Sequence, residues 1–137
     1  MIVLGLGARS GVPLPAPVLA VLAAAGVEPA RIEVLATVDR RAAEPRVREL
    51  AAGFGWRVAG FTAAELAARP VPNPSARVAA ATGAPSVAEA AALLAAGPGA
   101  ALLLPKTARD GVTVALAWSG LGGGRPVVDR DVVVHQR

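Results

Sequence analysis

Short apolar runs alternate along the chain with longer segments in which apolar residues recur at helical spacing. The runs are rich in Val, Ile, Leu and Ala, and several stop at glycine or proline, which is typical of buried strands. They predict five strands, with the sequences IVLG (2–5), IEVLATV (32–38), WRVAGF (56–61), ALLLP (101–105) and VTVALAW (112–118).

The segments between these runs carry helix start and stop signals. Residues 15–25 have prolines in their first turn and Gly26 directly after them, which predicts a helix with both ends marked. A second helix is predicted from about Glu44, with Pro45 in its first turn and Gly53 near its end.

Two hydroxyl residues are each followed three positions later by glutamate, which is the signature of a capping box. Thr62 with Glu65 predicts the start of a short helix, and Ser86 with Glu89 predicts the start of VAEAAALLAA. A capping role accounts for both glutamates. Between these two helices, SARVAAAT is predicted as a further helix that ends at Gly83.

Strands that alternate with helices predict an α/β fold, a three-layer α/β/α sandwich with a mixed, mainly parallel sheet of about five strands. The sheet is mixed because KTARDG, between the last two strands, is short enough for an antiparallel hairpin connection. We assign residues 1–118 to this domain. Residues 119–137 begin with SGLGGGR and predict a flexible linker followed by a tail, which is either disordered or an added strand.

Composition limits the kinds of protein that this chain can be. Its 137 residues suit one domain, and 54% are hydrophobic but only 3% aromatic, so the core must consist of Ala, Val and Leu. No apolar run reaches the length of about 18 residues that spans a membrane. The first residues lack the basic region that begins a secretory signal, so we expect a cytoplasmic protein.

Charged and metal-binding residues narrow the chemistry further. The chain has no cysteine and one histidine, so we predict no disulfide and assign neither a metal nor a cofactor. The net charge of +4 is not concentrated between aromatic residues, which argues against nucleic-acid binding and suits an anionic small molecule. Lys106 is the only lysine among 14 basic residues, by chance or because its ammonium can titrate where arginine cannot.

The first candidate site is the glycine-rich segment GLGARSG, residues 5–11, between the first strand and the first helix. Glycines there allow a ligand close to backbone N–H groups, and a helix N-terminus favours anions. The dinucleotide-binding pattern requires glycine where this chain has Ser10. The segment therefore favours an anion site over a nucleotide site.

Polar residues that follow strands form a second candidate set, because α/β sheets bind ligands at the carboxyl ends of their strands. Thr37 offers a hydroxyl, and Asp39 is either a site residue or a loop and capping residue. Glu44 also suits the first turn of a helix, where a carboxylate complements the helix dipole. PNPS, residues 72–75, caps the next helix, faces a ligand, or does both, and Lys106 follows LLLP.

Six motifs, taken in order, resemble a single family: GLGARSG, ATVDRRAAEP, VPNPSARV, GAPSVAEAAALLAAG, LLLPK and VTVALA. They resemble the CobE proteins of cobalamin biosynthesis and the C-terminal domain of CbiG, over about residues 2–118. PNPS and PSVAEAAAL are the most specific parts. Two positions differ from the family pattern, since Ala8 replaces the usual cysteine and Arg41 stands where lysine is often found.

The resemblance implies a protein that binds a corrin or precorrin intermediate as a carrier or accessory factor, with other cobalamin-pathway enzymes as further partners. Such macrocycles are apolar and edged by carboxylates, so a site for one needs backbone N–H groups, basic side chains and neutral donors. The family pattern places ligand-binding residues at Gly5, Gly7, Arg9, Gly11, Thr37, Asp39, Asn73, Pro74, Ser75, Ser86, Glu89, Lys106 and Thr113.

Two alternative functions are open. A CbiG-like enzyme of the cobalt-precorrin-5A hydrolase type would hydrolyse a δ-lactone and release acetaldehyde, with Asp39, Glu44 and Lys106 as acid–base candidates. A nucleotide-binding module would use the glycine-rich segment and Asp39.

Overall fold

The computed structural model describes residues 1–71 and 86–119. Its strands are β1 (Ile2–Ala8), β2 (Ile32–Val38), β3 (Arg57–Phe61), β4 (Ala101–Arg109) and β5 (Val112–Trp118). Its helices are α1 (Pro15–Ala25), α2 (Asp39–Ala42), α3 (Pro45–Phe54), α4 (Ala63–Ala68) and α5 (Val87–Ala96), with a 3₁₀ turn at Pro29–Arg31.

The strands form one sheet in the order β3-β2-β1-β5-β4. Strands β1, β2 and β3 pair in parallel, and β5 pairs antiparallel with both of its neighbours, β1 and β4. Because β5 alone runs against the other four described strands, the mixed, mainly parallel sheet expected from the sequence is confirmed.

Helices cover both faces of the sheet, and each face has its own apolar core. Successive side chains of a strand point to opposite faces, so Leu4 of β1 packs with α1 and α3 while Val3 packs with α4 and α5. The second core is built mainly from alanine and valine, as the low aromatic content requires. The three-layer arrangement is therefore the one predicted.

Strand β1 is longer than the predicted residues 2–5. It continues to Ala8 because it pairs with the whole of β5, where Gly5 lies opposite Ala115 and Gly7 opposite Thr113. Gly5 and Gly7 therefore belong to a central strand and not to a loop. A Cβ atom at Gly5 would lie 1.9 Å from the backbone oxygen of Ala88, so this glycine allows α5 to pack directly on the sheet.

The β4–β5 hairpin also differs from its prediction. The segment KTARDG was expected as a loop, but β4 continues to Arg109 and only Asp110 and Gly111 form the turn. Both turn residues have positive φ, 51° and 83°, which is the conformation that favours Asp-Gly in two-residue hairpins. Strand β4 lies at the edge of the described sheet, where Pro105 costs no ladder hydrogen bond to a second neighbour.

The helix predictions are mostly confirmed. Helix α1 has the predicted bounds, and Thr62 and Glu65 form both hydrogen bonds of the predicted capping box of α4. Helix α3 runs one residue beyond Gly53, to Phe54. Gly55 caps its end in the left-handed conformation. The short helix α2 was not predicted, because its four residues are too few to show helical periodicity.

The predicted helix over SARVAAAT and the predicted tail after residue 119 lie outside the described residues. Within the described ranges, no helix has the length and apolar character needed to cross a membrane.

Candidate functional site

A cleft of about 810 Å³ lies at the carboxyl ends of β1 and β2, beneath the first turn of α5. This is the edge at which α/β sheets bind ligands, and the volume is in the upper part of the usual range for ligand pockets. Its lining comes from six regions of the chain: Gly7–Ser10, Thr37–Val38, Arg40–Arg41, Ser86–Ala88, Lys106 with Ala108, and Gly111 with Thr113.

The described lining of the cleft is strongly basic. Four cationic side chains line it, those of Arg9, Arg40, Arg41 and Lys106, and the described lining contains no Asp or Glu. Arg41 is engaged in hydrogen bonds with the protein, whereas the other three form no side-chain hydrogen bond or ion pair within residues 1–71 and 86–119. Within the described residues these three positive charges are not compensated, which favours an anionic ligand.

A two-arginine network fixes the loop that follows β1. Glu44 accepts a hydrogen bond from Arg41 at 2.6 Å and from Arg46 at 2.7 Å. Arg41 also donates to the carbonyl of Ala8 at 3.0 Å, and Arg46 donates to the carbonyls of Arg9, at 3.1 Å, and Val12. The shape of this loop is thus set by planar guanidinium groups, which is why arginine suits position 41.

The position of Glu44 favours a structural role. Its carboxylate does not line the cleft. The hydrogen bond from Arg46, and then the hydrogen bond and charge of Arg41, lower the pKa of Glu44 below 4.5, although burial opposes them. A carboxylate held ionised in this way is a poor general base near neutral pH.

Thr37 and Asp39, which are two residues apart where β2 meets α2, lie in different surroundings. The buried Thr37 lines the cleft, but its hydroxyl donates to the carbonyl of Leu6 at 2.7 Å, so its proton links β2 to β1. Asp39 does not line the cleft. Its carboxylate packs over β3, because Oδ1 lies only 2.6 Å from where a Cβ of Gly60 would be.

The predicted glycines have three different roles. Gly5 lies under α5, and Gly7 lines the cleft, where a Cβ atom would remain 3.8 Å from Thr113. Gly11 is exposed, has a φ of 77° and does not line the cleft.

The predicted residue Arg9 lies against Gly111, whose carbonyl accepts a hydrogen bond from the Arg9 backbone at 3.0 Å.

Ser86 begins α5 as predicted, since its hydroxyl accepts a hydrogen bond from the backbone N–H of Glu89 at 3.4 Å. The Glu89 side chain is completely buried, and its Oε2 accepts a hydrogen bond from the backbone N–H of Lys106 at 2.9 Å. Lys106 was expected just after a strand, but it lies within β4. These three residues therefore join the start of α5 to the edge of the sheet.

Comparison with known proteins identifies the family. The family described as "Cobalamin synthesis G C-terminus" matches residues 2–117. The chain belongs to this family. A search of curated proteins gave no match.

Two solved structures of cobalamin proteins share the fold of this family member. CobE, from the cobalamin biosynthetic pathway, is 35% identical with a TM-score of 0.74, and the match covers 85% of this chain and 89% of CobE. The cobalamin biosynthesis protein chiG from Agrobacterium tumefaciens is also 35% identical, with a TM-score of 0.67 and coverage of 87% and 98%. The resemblance to the CobE and CbiG type of cobalamin-biosynthesis protein is therefore confirmed.

The structure of this family member brings together some of the predicted residues and not others. Six lie around the cleft: Gly7, Arg9, Thr37, Ser86, Lys106 and Thr113. Gly5, Gly11, Asp39 and Glu89 do not line it, and Asn73, Pro74 and Ser75 lie outside the described residues.

Sequence reasoning missed four polar or turn residues of the cleft, Ser10, Arg40, Arg41 and Gly111. The position of Arg40 could have indicated a site residue, because it directly follows a predicted strand end and Asp39. The Asp-Gly pair could likewise have indicated that Gly111 lies in the turn of the hairpin. Within the two described ranges, no three His, Cys, Asp or Glu side chains are grouped so that they could hold a metal ion.

Replacing Glu44 by glutamine tests the two-arginine network. The lowered pKa of folded Glu44 means that its ion pairs stabilise the fold above pH 4.5, and that this contribution disappears as pH falls through the lowered value. We expect the variant to lose about 0.5 kcal/mol of unfolding free energy at pH 7, since the pair is partly solvated.

Urea unfolding at pH 7, 5 and 3 measures this difference, which should shrink below pH 4.5. The matched control is Glu49→Gln on α3, because Glu49 is exposed and forms no ion pair with any described residue. An equal loss in both variants would contradict a specific role for Glu44.

Proposed function

We propose that this cobalamin-biosynthesis protein binds a corrin or precorrin intermediate in the cleft and acts as a carrier or accessory factor in the cytoplasm. The observation that carries the proposal is the charge of the cleft. Three cationic side chains without a partner among the described residues, Arg9, Arg40 and Lys106, face a lining that has no described carboxylate.

The remaining lining suits the other part of such a ligand. Small apolar side chains lie between the bases, from Ala8, Val38, Val87, Ala88 and Ala108. An apolar macrocycle would pack on these groups while its peripheral carboxylates meet the bases. Arginine can hold a carboxylate through two parallel hydrogen bonds, and lysine contributes a compact charge.

The structure gives less support to a hydrolase. Two of the three acid–base candidates, Asp39 and Glu44, do not line the cleft, and Glu44 is engaged by two arginines. Of the three candidates only Lys106 is in the described lining, so they do not form an acid–base pair there. A binding role requires no such pair of groups.

The nucleotide-binding alternative also has little support. It requires the glycines of residues 5–11 to expose backbone to a phosphate. Gly5 is covered by α5, and Gly11 lies outside the lining of the cleft.

A titration with hydrogenobyrinic acid, a corrin polycarboxylate, tests the proposal. We expect the wild-type protein to retain the coloured ligand on gel filtration and to bind it less tightly as salt rises from 50 mM to 500 mM, since salt screens exposed charges. A corrinoid whose peripheral acids are all amides is the matched control ligand. It should bind at least about tenfold more weakly, because it cannot form charge-assisted hydrogen bonds.

Three results would contradict the proposal: no retention of the acid by folded protein, equal affinity for acid and amide, or affinity independent of salt. Incubation of the protein with a lactone-bearing precorrin, followed by assay for acetaldehyde, separates binding from hydrolysis. Steady release of acetaldehyde would favour the hydrolase.

A further inference from the structure

The buried carboxylate of Glu89 has a partner that helix capping does not explain. Glu89 lies in the first turn of α5, where Ser86 already accepts its backbone N–H. Its side chain is 0% exposed and reaches the backbone N–H of Lys106 on β4 at 2.9 Å. Burial of a glutamate side chain is costly unless the carboxylate has hydrogen-bond partners. The hydrogen bond from Lys106 offsets part of this cost for Glu89.

Lys106 lies in a bulge of β4. From Leu104 to Thr107 the strand advances three residues, while its partner β5 advances only two, from Leu116 to Val114. The extra residue removes Lys106 from the register with β5. A bulge leaves a backbone group without a partner in the neighbouring strand and redirects nearby side chains. Here the backbone N–H of Lys106 donates its hydrogen bond to Glu89 instead.

We propose that Glu89 is a positioning residue for the cleft: by accepting the Lys106 N–H, it holds the bulge of β4 in the form that places the Lys106 side chain in the lining. Lys106 lines the cleft and Glu89 does not, so Glu89 acts through Lys106. The functional part of this inference rests on the proposed ligand binding, whereas the contact itself does not.

Glu65 provides an internal comparison. It occupies the same position in the first turn of α4, and it forms the full capping box with Thr62. Unlike Glu89, Glu65 is exposed, and it does not line the described cleft. Substitutions at Glu65 therefore control for the loss of a capping glutamate as such.

The contact can be measured without any ligand, because Lys106 is the only lysine in the chain. Protein labelled with ¹⁵N-lysine gives one backbone amide signal, that of Lys106. We expect this amide to exchange with solvent at least about tenfold faster in Glu89→Leu, which removes the acceptor and keeps the volume. Glu89→Gln, which keeps an acceptor oxygen, should retain most of the protection, and Glu65→Leu should leave the exchange rate unchanged.

A double-mutant cycle then tests whether Glu89 acts through Lys106. Glu89→Leu should weaken the binding of hydrogenobyrinic acid about tenfold in the wild-type background and cause no further loss in the Lys106→Ala background. Glu89→Gln should bind within about threefold of wild type. Circular dichroism on each variant confirms that it is folded, and Glu89→Gln remains informative if leucine is not tolerated.

Two results would overturn the inference. One is an equal loss of affinity from Glu89→Leu in the wild-type and Lys106→Ala backgrounds, and the other is a Lys106 amide exchange rate that is the same with and without Glu89. If the wild-type protein does not bind the acid while the amide still depends on Glu89, the proposed function fails and the positioning contact is supported. The two failures are therefore distinguishable.

Discussion

Replacing Gly5 by alanine is expected to destabilise the protein by about 3 kcal/mol, which lowers Tm by about 12 °C for a domain of this size. The new Cβ would lie 1.9 Å from the Ala88 carbonyl oxygen and 2.9 Å from the Ala92 side chain. Both contacts belong to α5, whose backbone cannot retreat without separating the alanine-rich core from the sheet. Because the clash involves backbone, a change of rotamer cannot relieve it.

Gly7→Ala is the matched control, since it adds the same methyl group to the same strand. Its Cβ would lie 3.8 Å from the nearest atom, in ordinary contact with Thr113. We expect a change within about 0.5 kcal/mol, part of it a gain from the restricted unfolded chain. Thermal and urea unfolding of both variants measure the difference. Similar stability of the two would show that α5 does not pack on β1 as described.

The Gly5 result also bears on the cleft. Helix α5 carries Ser86 and Glu89 at its start, so a shift of the helix would move the wall of the cleft and the contact with Lys106. We therefore expect Gly5→Ala to weaken ligand binding even at temperatures at which it is folded. Gly7→Ala, whose methyl group would project toward Val87, should affect binding only by occupying space.

The strands could be predicted from the sequence wherever burial leaves a continuous apolar run. Strand β2 has the predicted bounds, Ile32–Val38, because a central parallel strand is covered on both faces. Strand β4 was cut short at Pro105, since proline commonly ends a strand. Only the sheet order, which puts β4 at the edge, shows why proline is tolerated there.

The glycines show why the site was harder to predict than the fold. A glycine-rich segment after a strand indicates a loop, but Gly5 is required by the approach of α5, which lies more than 80 residues away in sequence. Similarly, the carboxylates of Asp39 and Glu44 could be assigned to the correct strand and helix ends. Their partners, Gly60 and the two arginines, depend on tertiary contacts that no local pattern records.

Reversal of charge at Arg40 or Lys106 should have the largest effect on ligand binding. Arg40→Glu and Lys106→Glu each replace a cation that has no partner among the described residues with an anion in the lining. In the proposed complex each variant would lose charge-assisted hydrogen bonds to a ligand carboxylate and add repulsion. We expect a loss of affinity for hydrogenobyrinic acid of about a hundredfold in each case.

Arg57→Glu separates local contact from a general effect of net charge. It lowers the net charge from +4 by the same two units, but Arg57 is exposed on β3 and does not line the cleft. We expect its affinity to stay within about threefold of wild type at 150 mM salt, where the screening length is about 8 Å. Isothermal titration of the three variants, each shown to be folded, measures the contrast. If all three lose affinity equally, the protein attracts the acid through its overall charge, and the cleft is not the binding site.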